Sequence, residues 1–248
     1  PAMASAAPAK RGRGRGKKQM TPGQRRLKSI LSSYQATQKE CMGIVTVVND
    51  EEGTVDTHVD PRAAMENPVL VAADEADINK IYFMMMGLYG PDGEYGGAEI
   101  LGYLELPDNF PYDPPNFVLL TPNALYTPNA GTPCVSIGKW HKNETSGVQG
   151  YSAGLGFMGF IRAIWGTYAD PHALGGGINV IRAGPKEWRA AAEGSRAHNE
   201  LKHRKVLDLF DEVYPDLDAR RDHYRREWQA RATADRAMSP AKGSAARA

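Results

Sequence analysis

The stretch ILGYLELPDNFPYDPPNFVLLTPN, residues 100–123, contains two short apolar runs joined by a proline-rich turn. Residues 100–106 and 117–120 have the length and composition of strands, and the residues between them are turn formers. Consecutive short strands joined by tight turns are typical of an antiparallel sheet. The stretch therefore predicts two neighbouring strands of an antiparallel meander.

Two further strand-like runs lie upstream, at residues 69–72 and 81–89, again with turn residues between them. Together the four runs predict a four-stranded antiparallel meander. Residues 44–59 alternate in polarity around a polar centre, which favours an additional hairpin. Continuation of the preceding helix through residues 42–48 is the alternative interpretation.

Helices are predicted before and after the strands along the chain, so the fold class is α+β. Thr21 followed by Pro22 is a helix-start signal, and the apolar stripe of that first helix is formed by Leu27, Ile30, Leu31 and Tyr34. Helical spacing resumes over residues 155–168, which we expect to form a crossover helix. Beyond the breaker GGG at 175–177, the sequence predicts helices over 185–211 and 217–238.

Composition excludes several classes of protein. The chain has 248 residues, 30 Lys and Arg against 29 Asp and Glu, and two Cys. Two Cys exclude a disulfide-framework protein and a four-cysteine zinc site, and no His, Cys or carboxylate cluster has the spacing of metal ligands. No apolar run is long enough to span a bilayer, and no secretory signal is present. We therefore expect a cytoplasmic protein without a membrane anchor, with nuclear residence as the alternative.

Charge is segregated along the chain, and it suggests three regions. Residues 1–28 carry nine basic and no acidic residues, whereas residues 29–180 carry six basic and eighteen acidic residues. We predict a disordered basic tail at 1–21, a core at 22–182, and a charged helical extension at 183–248. The RGRGRGKK sequence of the tail offers nucleic-acid binding as a secondary role, against the simpler interpretation of a solubilising tail.

Cys134 is the candidate nucleophile, since it lies in a long loop (residues 121–150) that has little periodicity. A buried structural cysteine is the alternative, and it is the interpretation we favour for Cys41. His141 lies seven residues after Cys134, and a cysteine with a nearby histidine suggests a nucleophile and a base. An exposed loop histidine is the simpler alternative for His141.

Five motifs occur in an order that resembles the ubiquitin-conjugating enzymes. They are YGG (95–97), GYLELP (102–107), FPYDPP (110–115), TPN (121–123) and PCVSI (133–137). The chain is most similar to the divergent branch of that family that has Thr-Pro-Asn in place of His-Pro-Asn and is usually tail-anchored in the endoplasmic reticulum. The resemblance covers about residues 22–182, with a further likeness at 199–217. Residues 38–66 form an insertion without a counterpart.

The resemblance implies a transthiolation reaction at Cys134, which would carry ubiquitin as a thioester. Asn123 matches the family's active-site asparagine, although a second Thr-Pro-Asn ending at Asn129 leaves that assignment open. Ser136 stands where most members have an acidic residue, and His141 would help to deprotonate or orient the incoming nucleophile. No cofactor is expected, because ATP is used by the activating enzyme and is not bound here.

The resemblance also implies partners: ubiquitin or a related modifier, an activating enzyme, a ligase and a protein substrate. Arg25, Arg26 and Lys28 match the family's surface for the activating enzyme. Tyr112 matches one ligase-contacting loop, and Ser152 and Ala153 lie near the second. The substrate acceptor is a lysine, with Ser or Thr as the alternative. A catalytically inactive binding module of the same fold is the competing hypothesis for function.

Overall fold

The computed structural model describes residues 20–49, 54–90, 92–138, 150–174 and 177–238. It confirms the α+β class, with an N-terminal helix, a four-stranded antiparallel sheet and further helices after that sheet. The predicted basic tail lies outside the described residues except for Met20 and Thr21. The six helices found in the described residues are α1 Pro22–Cys41, α2 Pro61–Glu66, α3 Gly156–Gly166, α4 Pro185–Lys202, α5 Arg204–Val213 and α6 Leu217–Met238.

The central sheet is a four-stranded antiparallel meander, as the sequence predicts. Its strands neighbour one another in chain order, and they are β3 Val69–Ala73, β4 Lys80–Met85, β5 Ile100–Glu105 and β6 Asn116–Leu119. The predicted strand over 81–89 is too long, because the chain leaves the sheet at Gly87, whose φ of 63° is left-handed. Helix α3 packs on one face of the sheet, where Phe160 meets Phe117 edge-to-face with their ring centroids 6.2 Å apart.

Helix α1 begins at a capping box, in which Thr21 and Gln24 bond to each other's backbone N–H. Its predicted apolar stripe is wrong in part, because Leu27 and Leu31 are 44% and 43% exposed. The buried side of the helix instead runs through Ile30, Thr37 and Cys41.

The hairpin favoured by the sequence is confirmed, and the helical alternative for residues 42–48 is wrong. Strands β1 Ile44–Asn49 and β2 Thr54–Val59 pair antiparallel, and every residue of β2 is exposed. The first residues of the predicted insertion, 38–41, complete helix α1, and the hairpin and α2 follow. Residues 38–66 therefore extend the core with a small second sheet.

The single helix predicted over 185–211 is two helices, α4 and α5. His203 separates them with φ −127° and ψ 30°, outside the helical region. The break redirects the chain so that Leu207 and Phe210 of α5 are buried in the core. Gly and Pro, the residues that mark helix breaks in a sequence, are absent from α4–α5 at this point, and packing sets the boundary.

The C-terminal helices are part of the same core as the sheet. Arg220 of α6 is buried, and its Nη1 donates to the carbonyls of Cys41 and Ala64, at 2.7 and 2.8 Å. Arg221 forms a buried ion pair with Glu99, at 2.8 Å. Trp228 covers the backbone of Gly96, where any side chain would overlap the indole ring. The extension that the sequence predicts at 183–248 thus packs on both the sheet and the insertion.

Candidate active site

Cys134 lies in the loop that follows β6, and its side chain is half-buried. Its neighbours Pro133 and Val135 are buried, so they anchor the loop on either side of the thiol. The backbone N–H of Cys134 donates to the carbonyl of Ile178, at 3.0 Å. Cys134 is therefore partly exposed, while the backbone that carries it is held by a hydrogen bond.

The segment 177–181, which we call the clamp, holds this loop in place through backbone contacts. The amide of Thr127 donates to the carbonyl of Asn179, and the amide of Ile181 donates to the carbonyl of Leu125, at 3.0 and 2.8 Å. The side-chain amide of Asn179 donates to the carbonyl of Gly131, at 2.6 Å. With the bond from Cys134 to Ile178, these contacts span the loop from residue 125 to residue 134.

Asn123 is buried, and both polar atoms of its side chain are hydrogen-bonded inside the loop. Its Oδ1 accepts from the amides of Leu125 and Tyr126, at 3.1 and 2.8 Å, and its Nδ2 donates to the carbonyl of Thr121, at 2.9 Å. An asparagine that bonds backbone groups two and three residues onward is typical of an Asx-turn. These contacts order the start of the loop that carries Cys134.

The second Thr-Pro-Asn differs from the first in its environment. Asn129 is exposed and has a left-handed φ of 56°, a conformation that asparagine tolerates better than most residues. Its backbone N–H donates to the carbonyl of Leu119, at 2.8 Å. Of the two asparagines that the sequence left open, Asn123 is the one built into the buried framework of the loop.

Thr121 connects the loop to the C-terminal extension. Its Oγ1 accepts from the amide of Leu101, at 2.8 Å, and donates to Oδ1 of Asn199, at 2.6 Å. Nδ2 of Asn199 in turn donates to the carbonyl of Glu99, at 2.9 Å. The sequence gives no signal for this role of Asn199, because a single asparagine on an amphipathic helix is usually exposed.

The remaining predicted catalytic residues are placed as follows. Ser136 is exposed, two residues after Cys134. His141 lies outside the described residues. Cys41 is fully buried, and burial raises the pKa of its thiol to about 12. A thiol with so high a pKa is almost entirely protonated near neutral pH, so Cys41 is a poor nucleophile.

The predicted surface for the activating enzyme is only partly free. Arg25 and Lys28 are exposed on α1. Arg26 is half-buried, and its guanidinium donates to the carbonyl of Pro107, at 3.1 Å, and to Oδ1 of Asn79, at 2.8 Å. Arg26 therefore ties α1 to the sheet, whereas its two neighbours face solvent.

The two predicted ligase-contacting loops lie side by side. Tyr112 is 73% exposed, and Ser152 and Ala153 are also exposed. The hydroxyl of Tyr151 donates to the carbonyl of Pro111, at 3.0 Å, which joins the two loops at their bases. The structure thus brings the three predicted residues to one surface.

These elements define a class of protein. An N-terminal helix, a four-stranded antiparallel meander, a long cysteine-bearing loop and a crossover helix match the core of a ubiquitin-conjugating enzyme. No family model matches the chain. Among the described residues, no helix is long and apolar enough to cross a membrane.

Curated proteins similar to the chain are ubiquitin-conjugating enzymes by name. A probable ubiquitin-conjugating enzyme E2 of Acanthamoeba polyphaga mimivirus is 24% identical over 156 residues, which cover 59% of this chain and 37% of that protein. Ubiquitin-conjugating enzyme E2 6 of Candida glabrata is 30% identical over 152 residues, covering 60% of this chain and 57% of that protein.

A third relative is ubiquitin-conjugating enzyme E2 32 of Arabidopsis thaliana, 37% identical over 62 residues, which cover 25% of this chain and 20% of that protein. The chain therefore spans about a fifth to just over half of the length of these relatives. Taken together, the three similarities support the ubiquitin-conjugating enzyme family.

Proposed function

We propose that the chain is an active ubiquitin-conjugating enzyme whose nucleophile is Cys134. The observation that carries the proposal is a half-buried thiol on a loop whose backbone is held by the clamp and by Asn123. The similarity to proteins named as ubiquitin-conjugating enzymes agrees with it. Within the family we place the chain in the Thr-Pro-Asn branch, on the motif ending at Asn123.

The reaction has two acyl transfers. First, Sγ of Cys134 attacks the carbonyl carbon of the thioester between ubiquitin and the activating enzyme. A new carbon–sulfur bond forms, the old one breaks, the departing sulfur leaves as a thiolate, and the proton of Cys134 passes to solvent. Second, a lysine amine of the substrate attacks the Cys134 thioester, loses a proton and releases the Cys134 thiolate. A Ser or Thr hydroxyl is the alternative acceptor.

The predicted residues other than Arg26, which ties α1 to the sheet, have the following roles in this proposal. Asn123 orders the loop that carries the nucleophile. His141 helps to deprotonate or orient the incoming nucleophile, and Ser136, two residues after Cys134, stands in place of an acidic residue. Arg25 and Lys28 contact the activating enzyme. A ligase contacts the surface formed by Tyr112, Ser152 and Ala153, the three exposed residues described above.

A charging assay tests the proposal. The chain is incubated with ubiquitin, ATP and an activating enzyme, and the products are separated on a non-reducing gel. We expect a band one ubiquitin heavier that a thiol reductant removes, that survives Cys41→Ala and that is lost in Cys134→Ala. Cys134→Ser should give a band that resists the reductant, because an ester replaces the thioester.

The absence of any band with wild type, repeated with related modifiers, would contradict the proposal. It would favour the binding module that positions ubiquitin or a ligase without catalysis. A band that persists in Cys134→Ala would contradict the assignment of the nucleophile instead.

A further inference from the structure

Gly177, the first residue of the clamp, packs directly against Cys134. A Cβ added at position 177 would lie 2.8 Å from Cβ of Cys134, 3.4 Å from Cγ2 of Val180 and 3.6 Å from Sγ of Cys134. Carbon atoms in contact prefer separations of about 3.5–4.0 Å. The added methyl would therefore overlap the side chain of Cys134 and touch its sulfur.

The glycine is needed here for space and not for its backbone freedom. The residues with a left-handed backbone in the described chain include Gly87, Gly97 and Gly156, whereas Gly177 is not one of them. The φ of Gly177 lies outside the left-handed region, so backbone conformation alone does not call for a glycine here. What the site uses is the missing side chain.

Both sides of this contact are fixed, so neither can yield freely. The amide of Cys134 is bonded to the carbonyl of Ile178, the residue that follows Gly177, at 3.0 Å. The next residue, Asn179, bonds to Thr127 through its carbonyl and to Gly131 through its side-chain amide. A methyl at position 177 would therefore displace the side chain of Cys134, because three hydrogen bonds keep residues 178 and 179 from moving away.

We propose that Gly177 is a positioning residue for the reaction of Cys134. By lacking a side chain, it leaves room beside Cβ and Sγ for the acyl carbon to approach and become tetrahedral. This inference rests on the proposed function of Cys134 as the thioester-forming residue. It adds a second requirement, since the nucleophile must also face a residue without a Cβ.

The rate at which iodoacetamide alkylates Cys134 in the native full chain tests the inference without ubiquitin. Sγ of Cys134 displaces iodide from the reagent, and peptide-resolved mass spectrometry separates this adduct from one at Cys41. We expect Gly177→Ala to slow alkylation of Cys134 by about tenfold or more, because overpacking of one methyl has a cost of that order. Gly194→Ala in helix α4 is the matched control, since a Cβ there meets nothing within 4 Å and the residue lies outside the clamp and the Cys134 loop.

A second variant distinguishes an effect of the contact with Cys134 from a loss of the fold. Val180→Ala removes the methyl that stands 3.4 Å from the added Cβ, so Gly177→Ala combined with Val180→Ala should recover part of the alkylation rate. Alkylation of Cys134 in Gly177→Ala at the rate of wild type would overturn the inference. Unfolding of both Gly177→Ala and the double variant would overturn it too, because Gly177 would then serve stability alone. Alkylation of the buried Cys41 reports such unfolding.

The ubiquitin charging rate is measured on the same proteins. We expect Gly177→Ala to slow charging at least as much as alkylation, and Gly194→Ala to leave both rates unchanged. If wild type is alkylated at Cys134 but accepts no ubiquitin, the proposed function fails. The alkylation rates then decide by themselves whether Gly177 positions the thiol of Cys134. If wild type is charged but Gly177→Ala is charged equally fast, the inference fails and the proposed function stands.

Discussion

The hydroxyl of Thr121 donates to Oδ1 of Asn199 across 2.6 Å, although 78 residues of sequence separate them. Both residues are fully buried. Thr121 begins the motif that contains Asn123, and Asn199 lies in helix α4. The C-terminal extension therefore bonds directly to the loop that carries Cys134.

Replacing Thr121 with Val should destabilise the fold. The change leaves Oδ1 of Asn199 and the amide of Leu101 without their partner inside the core. A buried polar group that loses its partner costs about 1–3 kcal/mol. The free energy of unfolding, measured by urea denaturation, should fall by that amount. Thr127→Val, in the exposed second motif, is the control and should change it little; equal losses in the two variants would contradict the role of Thr121.

The two asparagines of the repeated motif should differ in their effect on catalysis. Asn123→Ala removes three hydrogen bonds that order the loop, so the rate of discharge from the thioester should fall at least about tenfold. Asn129→Gly keeps the left-handed backbone and should leave that rate unchanged. Single-turnover discharge to a lysine nucleophile measures both variants. A larger loss in Asn129→Gly would reverse the assignment.

Stability should depend on pH through His203, at the junction of α4 and α5. Burial and the neighbouring His198 lower the pKa of His203 below its usual value. Because the folded protein then binds this proton less tightly than the unfolded chain, the stabilisation is present above about pH 6.5 and is lost as the pH falls through the folded pKa.

The melting temperature at pH 7.5 and at pH 5.0 measures this effect. The drop on acidification should be smaller in His203→Gln than in wild type. His58, exposed on β2, provides the control, and His58→Gln should retain the drop of wild type. A drop in His203→Gln as large as that of wild type would remove His203 as the source.

Arg220 should be the residue through which the insertion and the extension stabilise each other. Arg220→Met keeps much of the buried volume but leaves the carbonyls of Cys41 and Ala64 without their donor. We expect the free energy of unfolding to fall by about 2–5 kcal/mol, since two buried acceptors lose a charged partner. Arg225→Met, on the exposed side of α6, should change it little. A loss of less than 1 kcal/mol in Arg220→Met would contradict this role.

Local pattern predicted the sheet and the hairpin well. Residues 100–106 and 117–120 are short apolar runs joined by a proline-rich turn. The signals that predict these strands therefore lie within a few residues of each strand. The side of α1 that faces the core was harder to predict from the sequence. Leu27 and Leu31 have helical spacing, but Arg26 takes an inward position because the carbonyl of Pro107 accepts its guanidinium. That acceptor is 81 residues away.

In the candidate site too, local sequence patterns indicated some residues and missed those that act through distant contacts. Motif order indicated Cys134 and Asn123, and the roles of those two residues in catalysis stay predictions. Asn199 and Gly177 were not found, because each acts on a distant segment. The glycine run at 175–177 was interpreted as a helix breaker, while the contact that gives Gly177 its importance exists only in three dimensions.

The hydroxyl of Tyr214 has a consequence for the behaviour of the chain in solution. It donates to the carbonyl of Val71 and accepts from the amide of Val71, on the outer side of strand β3. On the opposite border of the sheet, Oγ1 of Thr132 accepts from the amide of Phe117 in β6. The backbone N–H and C=O of Val71 and the N–H of Phe117 are thus taken by side chains and are closed to a further strand.

A shortened chain of residues 20–182 would lose Tyr214 and open the border at β3, leaving Val71 as a template for strand addition between molecules. Light scattering should then report self-association that the chain of residues 20–238 does not show. Equal scattering would mean that α1 alone shields the strand. The helices beyond residue 182 would thereby protect this border of the sheet from strand addition by a second molecule.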